Sequence, residues 1–201
     1  MLLLGTTYKS NCDFGQISKD LVFNISLNTD PKNTQILIES NKLPDNYHIT
    51  KEELFNYCEL LTDFSQAIYF YIPQDEFGIF SNFSEHGIMM NDKYYPTIEH
   101  YYQSCKFENM MYQELIRNCH SPKRASELGK SKDQKIKSNW NEIKIEVMYQ
   151  AVLAKFQQNK AIQIILLNTQ NHLLIENSPY DNFWGIGRSG QGFNSLGTGL
   201  M

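Results

Sequence analysis

Glu99, Tyr102, Gln103 and Lys106 stand at i, i+3, i+4 and i+7 of a segment with helical patterning, so a carboxylate, a phenol, an amide and an amine share one helix face. At about 1.5 Å of rise per residue the acid and the amine are about 10 Å apart along the axis. Two readings stay open. The face is one wall of a site that handles protons and charge, or Glu99 complements the positive helix start and Lys106 the negative end, as on many solvated helices.

A second group lies in Ser178-Pro179-Tyr180-Asp181-Asn182-Phe183-Trp184-Gly185. Pro and Gly make this a loop, yet it carries three aromatic residues, which a purely solvated loop does not favour. Its rings either dock on the core or stack a base or sugar, and Asp181 is then an acid/base or ribose-hydroxyl partner. Asn82, in Phe80-Ser81-Asn82-Phe83-Ser84, is a turn former or a polar group lining a pocket. Gly185-x-Gly187-x-x-Gly190 matches a dinucleotide fingerprint in form only, because an acidic residue about 20 positions onward is required and the given sequence stops at Met201. These glycines are read as a tight turn or as a close approach of backbone to a ligand. His100 with Cys105, and Cys119 with His120, are poor metal pairs, since adjacent or i,i+5 side chains seldom converge on one ion, and no metal or cofactor is expected.

The elements that must position these residues follow from periodicity and punctuation. In the first 65 residues, LLLG, LVFNISL and TQILIES read as strands between polar segments such as NTDPKN and KLPDN. Thr50-Lys51-Glu52-Glu53 matches a capping box for a helix through Leu54, Tyr57 and Leu61. AIYFYI (67–72) reads as a strand and PQDEFG as a turn. Thr97 is the expected cap of a helix running to about Phe107. Ser121-Pro122 starts a shorter helix that Gly129 stops. Residues 141–159 form a long helix with an apolar stripe of Ile143, Val147, Met148, Ala151 and Ala154, followed by a buried helix over 160–169 and a strand at LLIEN.

Length and composition bound the class. In 201 residues, 12 Phe, 12 Tyr and 2 Trp supply enough ring area for a sizeable core, which argues against disorder. A net charge of −4 gives no bulk reason to coat nucleic acid or anionic lipid, although a local basic cleft is compatible with it. Cysteines at 12, 58, 105 and 119 fit neither a CxxC metal site nor a dense disulfide framework. With no signal-like or membrane-spanning run, a cytoplasmic location is expected.

FSNFS (80–84), YYPTIEHYYQSCKF (94–107), SPKRASELGK (121–130), Trp140 leading to EVMYQAVLAKFQQN (146–159), LLNT, LLIENSPYDNFWGIG (173–187) and GFNSLGTGLM (192–201) resemble, in order, the motifs of the YbiA-like N-glycosidases, the NADAR domain family. The resemblance runs from about Ile68 to Met201, and SEHGIMMNDK after Asn82 departs from the usual segment. It implies an α+β fold: a compact, helix-rich domain with a small sheet over 68–201, preceded by a small β-containing extension over 1–67. It also implies an enzyme that cleaves the N-glycosidic bond between ribose C1 and an amine nitrogen. The substrate would be ADP-ribosylated guanine, as nucleoside or in DNA, or a ribosylaminopyrimidine phosphate of riboflavin synthesis, with no membrane partner.

By the same resemblance the catalytic residues are Glu99, Lys106 and Asp181, and the substrate contacts are Asn82, Tyr102, Trp184, Gly185, Gly187 and Asn194. Two mechanisms stay open. Glu99 and Asp181 act as a carboxylate pair on an oxocarbenium-like state, or a neutral Lys106 attacks C1 of the ring-opened sugar to form an imine. The otherwise unneeded lysine at i+7 from the acid favours the second. The contrasting class is a module that binds ADP-ribose or a nucleotide without turnover.

Overall fold

The computed structural model describes residues 7–10, 22–25, 35–39, 43, 47–50, 58–60 and 66–201. By backbone proximity these group into two units, one of residues 1–69 with 172–199 and 201, the other of 70–171 with 200. The fold is α+β, with helices concentrated in the second unit.

In the first unit, strands β1 (Thr7–Ser10), β2 (Val22–Ile25), β3 (Gln35–Glu39), β4 (Tyr47–Thr50) and β5 (Cys58–Leu60) form an antiparallel sheet of order β4-β3-β2-β1-β5. LVFNISL and TQILIES supply β2 and β3 as their β-branched content predicts, while LLLG lies outside the described residues. The helix expected from Thr50 through Leu61 is corrected at its end. Residues 51–57 lie outside the described set, and Cys58–Leu60 is a strand in register with β1, Ser10 opposite Cys58 and Tyr8 opposite Leu60. Three apolar residues at helical spacing are a weak signal, and an available sheet edge satisfies the same backbone groups non-locally.

The same unit holds the C-terminal motifs. Strand β6 (Ile68–Phe70) begins where Ile68 N–H donates to Leu173 O at 2.8 Å, beside β9 (Leu174–Glu176). Leu173, Ile175 and Ile186 form a small core with Ala67 against it. The glycine-rich tail, read as loop, also contains a short helix, Ser195–Leu200.

The second unit opens with a turn at 73–78 and one 3-10 turn, Gly78–Phe80, whose Phe80 packs between Phe70 and Phe156. A hairpin follows, β7 (Ile88–Met90) and β8 (Lys93–Tyr95), closed by Asn91 and Asp92, both at positive φ (50° and 61°). Two consecutive left-handed residues between paired strands make a type I′ turn, and Asn and Asp tolerate that geometry best after Gly.

Helix α1 (Ile98–Cys105) starts at Thr97, whose side chain caps His100 N–H. Helix α2 (Met110–Arg117), not foreseen from periodicity, is capped by Asn109, which accepts from the N–H groups of Met111 and Tyr112. Helix α3 (Pro122–Leu128) has the expected Ser121 cap with Pro at its first turn.

Helix α4 (Trp140–Gln158) buries Trp140, Met148, Ala151, Val152, Lys155 and Phe156. Of the predicted stripe only Met148 and Ala151 are fully buried, because the face is turned toward Val152 and Phe156. Helix α5 (Lys160–Asn168), expected to be buried, hides only Ile162, while Ile164, Ile165 and Leu167 are exposed. A helix apolar on most of its circumference can press only one stripe against a neighbour.

Candidate functional site

The predicted residues divide between the units: Asn82, Glu99, Tyr102 and Lys106 belong to 70–171, and Asp181, Trp184, Gly185, Gly187 and Asn194 to 172–199.

In the first set, α1 brings Glu99 and Lys106 onto one face as its period requires, and the surroundings exceed what a solvated helix would show. Glu99 is 6% exposed. Gln103 Nε2 donates to Glu99 Oε1 at 2.9 Å, an i,i+4 pair. Lys106 is half-buried, and its Nζ donates to Gly129 O at 2.6 Å. Burial pulls the Lys106 ammonium below the ordinary lysine value, while the Glu99 carboxylate pulls it back up. Tyr102 is buried, its ring tilted against Trp140 at 5.0 Å between centroids, so packing occupies its ring.

Asn82 is held from both sides. Its backbone carbonyl accepts from Glu99 N–H at 3.1 Å, occupying one of the otherwise orphaned donors of the α1 start. Its side chain is 7% exposed, with Nδ2 directed at Met148 Sδ (3.4 Å). Asn82 Oδ1 is buried without a hydrogen-bond partner among the described residues. A buried acceptor with no donor is costly, of order 1–3 kcal/mol, unless a ligand or water supplies one.

Lys155, absent from the sequence-level candidates, anchors this turn. It is fully buried, and its Nζ donates to Ile79 O (2.5 Å), Ser81 O (2.9 Å) and Ser84 Oγ (2.6 Å). Burial brings its ammonium down to about 7. The signal was present in the sequence: Met148, Ala151, Val152, Lys155 and Phe156 fall at i, i+3, i+4, i+7 and i+8, placing a cation on an apolar stripe.

His100 is not available as a ligand. Its Nε2 donates to Cys119 O at 3.1 Å, which leaves Nδ1 to face the Thr97 hydroxyl at 2.8 Å. Among the described residues no three His, Cys, Asp or Glu side chains cluster as a metal site would need.

In the second set, Asp181 Oδ1 accepts from Phe183 N–H (2.8 Å) and Trp184 N–H (2.7 Å), folding the loop around the carboxylate. Among the described residues no hydrogen bond is made to Asp181 Oδ2. Trp184 stands edge-on to Phe183 at 4.9 Å. Gly185 and Gly187 are buried, and Gly187 adopts φ +65°, where a β-carbon would also overlap the Asn182 carboxamide. The tight-turn reading therefore suffices for Gly187. Asn194 is fully buried, with Nδ2 on Leu174 O and Oδ1 receiving Glu176 N–H, both at 2.8 Å. Its side-chain amide brackets β9.

The NADAR domain model matches residues 69–201. The N-glycosidase Npun_R5314 of Nostoc punctiforme is 42% identical over 138 residues, covering 67% of this chain and 88% of that protein. The maize chloroplastic riboflavin biosynthesis protein PYRR is 39% identical over 152 residues, covering 68% of this chain and 24% of that protein. The NMR structure of the E. coli protein YbiA superposes with a TM-score of 0.64 at 38% identity, covering 70% of this chain and 83% of that one.

Proposed function

This chain belongs to the NADAR domain family, and from that premise we propose that it is an N-glycosidase hydrolysing the bond between ribose C1 and an amine nitrogen of a nucleotide-like substrate. The observation that carries the reading is a buried Glu99 and a half-buried Lys106 on one face of α1, the ammonium lowered from its ordinary value by burial. Residues 68–201 form the catalytic domain in this reading, and 1–67 an extension outside the chemistry, in a cytoplasmic protein. The substrate is a ribosylaminopyrimidine phosphate, in line with the maize relative's name, or ADP-ribosylated guanine.

In the favoured route the glycosylamine opens to an imine at C1. Once deprotonated, the Lys106 amine adds its lone pair to C1, and the substrate amine departs with a proton delivered by Glu99. Water then adds to the lysine iminium, releasing the free sugar aldehyde and restoring the amine. Asn82 Oδ1, an acceptor awaiting a donor, suits a ribose hydroxyl or an amino N–H.

Borohydride added during turnover of ADP-ribosylguanosine or a ribosylaminopyrimidine phosphate is expected to fix the sugar on the Lys106 peptide, read as a mass increment. Lys106→Arg keeps the charge, forms no imine and should lose nearly all turnover. Substantial turnover by that variant, or no trapped adduct at saturating substrate, refutes the lysine route and returns hydrolysis to the carboxylates. Ligand-induced thermal stabilisation without product, with either substrate, refutes the enzymatic reading.

A further inference from the structure

We propose that Gln103 is a positioning residue for Glu99, and that position 129 is glycine because the Gln103 side chain occupies the space a β-carbon would take. The inference rests on the catalytic reading of Glu99 given above, but its geometry is independent of any substrate. Gln103 Nε2 donates to Glu99 Oε1 at 2.9 Å, the acid buried and the amide partly so. The orientation of the amide is forced, because an ionised carboxylate only accepts and the Gln103 carbonyl oxygen facing it would repel.

With the –NH2 side committed to Glu99, the Gln103 oxygen and Cδ are driven against residue 129. A β-carbon built on Gly129 overlaps both atoms and sits 3.0 Å from Gln103 Cγ. Gly129 has φ −59°, an ordinary right-handed value, so no backbone conformation demands glycine there. The requirement comes from the neighbouring side chain.

Gly129 O is also the acceptor of Lys106 Nζ at 2.6 Å. Gln103 and Gly129 therefore connect the acid and the amine. One carboxylate oxygen is fixed by the amide, and the ammonium is held by the residue against which that amide packs. Fixing Oε1 sets the rotamer of Glu99 and hence the direction of its second oxygen. A hydrogen bond to a charged group loses much of its worth when displaced by an ångström.

The test is a double-mutant cycle of Gln103→Ala and Gly129→Ala, assayed with ADP-ribosylguanosine and a ribosylaminopyrimidine phosphate. Gln103→Ala should lower kcat about tenfold to a hundredfold, the range for losing a charge-assisted hydrogen bond, with KM moving much less. The limb of the pH–kcat profile that Glu99 governs should move to higher pH, because the ionised carboxylate has lost a donor. A purely structural role would leave that limb in place. Gly129→Ala should show the same signature with little loss of melting temperature, since the flexible end of Gln103 yields. The double variant should be no worse than Gln103→Ala alone. Additive losses, or a Gln103→Ala variant with unchanged kcat, overturn the proposal.

A substrate-free readout separates this from failure of the enzymatic reading. The Gln103 side-chain amide resonances, assigned by their disappearance in Gln103→Ala, should shift in both Glu99→Ala and Gly129→Ala. Resonances unmoved by either overturn the positioning role whether or not the protein turns over a substrate.

Discussion

Lys155→Met exchanges the buried ammonium for an apolar side chain of similar length, and its consequence can be worked out acceptor by acceptor. The hydroxyl of Ser84 already donates to Ile79 O at 3.1 Å, so those two groups keep each other when the lysine goes. Ser81 O loses the lysine donor but keeps Ser84 N–H at 3.1 Å, so no acceptor is left bare and the loss is that of one hydrogen bond, about 1 kcal/mol. Removing a buried cation returns free energy of the opposite sign and comparable size, so the net change near pH 7 should be small.

The decisive quantity is the pH dependence. Lys155 titrates at about 7 in the folded protein and at 10.5 in the unfolded chain. Between these values the unfolded state binds the additional proton, so wild-type stability rises with pH. From pH 7 to pH 9 the linkage integral amounts to about 2 kcal/mol. The methionine variant lacks this term and should fall behind the wild type by that amount across the interval. Of the titrating neighbours, His86 faces Lys155 and is held below 6.5 by burial and by that charge, outside the window.

The assay is urea unfolding of both proteins at pH 7, 8 and 9, comparing stabilities at each pH so that groups not coupled to Lys155 cancel. A constant gap would refute the reasoning, because it would mean that Lys155 does not change its protonation over this range when the protein folds.

Asp181→Asn preserves the Oδ1 acceptor for Phe183 and Trp184 N–H, so it should keep the loop and lower kcat, whereas Trp184→Ala should chiefly raise KM by the equivalent of about 1–3 kcal/mol. Early melting of both variants with activity lost in proportion would show the loop to be packing. A chain starting at Phe64 retains every residue matched by the family model and should fold and turn over small substrates. A folded but wholly inactive product would show that the extension contributes to the site.

What the sequence determined by itself is what depends on neighbours within a turn or two. The Thr97 and Ser121-Pro122 caps, the strands at LVFNISL and TQILIES, and the presence of Glu99 and Lys106 on one face follow from local hydrogen bonding and the helical period. The hairpin turn at Asn91-Asp92 and the Asn109 cap were equally local, though neither carries the Gly or Pro that announces such features most loudly. Tertiary structure decided the rest, because burial and strand pairing are made by partners far along the chain. Cys58–Leu60 became a strand when β1 offered an edge, α5 kept an apolar face exposed, and Asn194 was committed to β9 from 18 and 20 residues away. Gly129 marks a helix end in sequence, yet its need for hydrogen in place of a side chain comes from Gln103. Lys155 is one more lysine until a turn more than 70 residues earlier supplies three acceptors, and only that enclosure makes its charge conditional on pH.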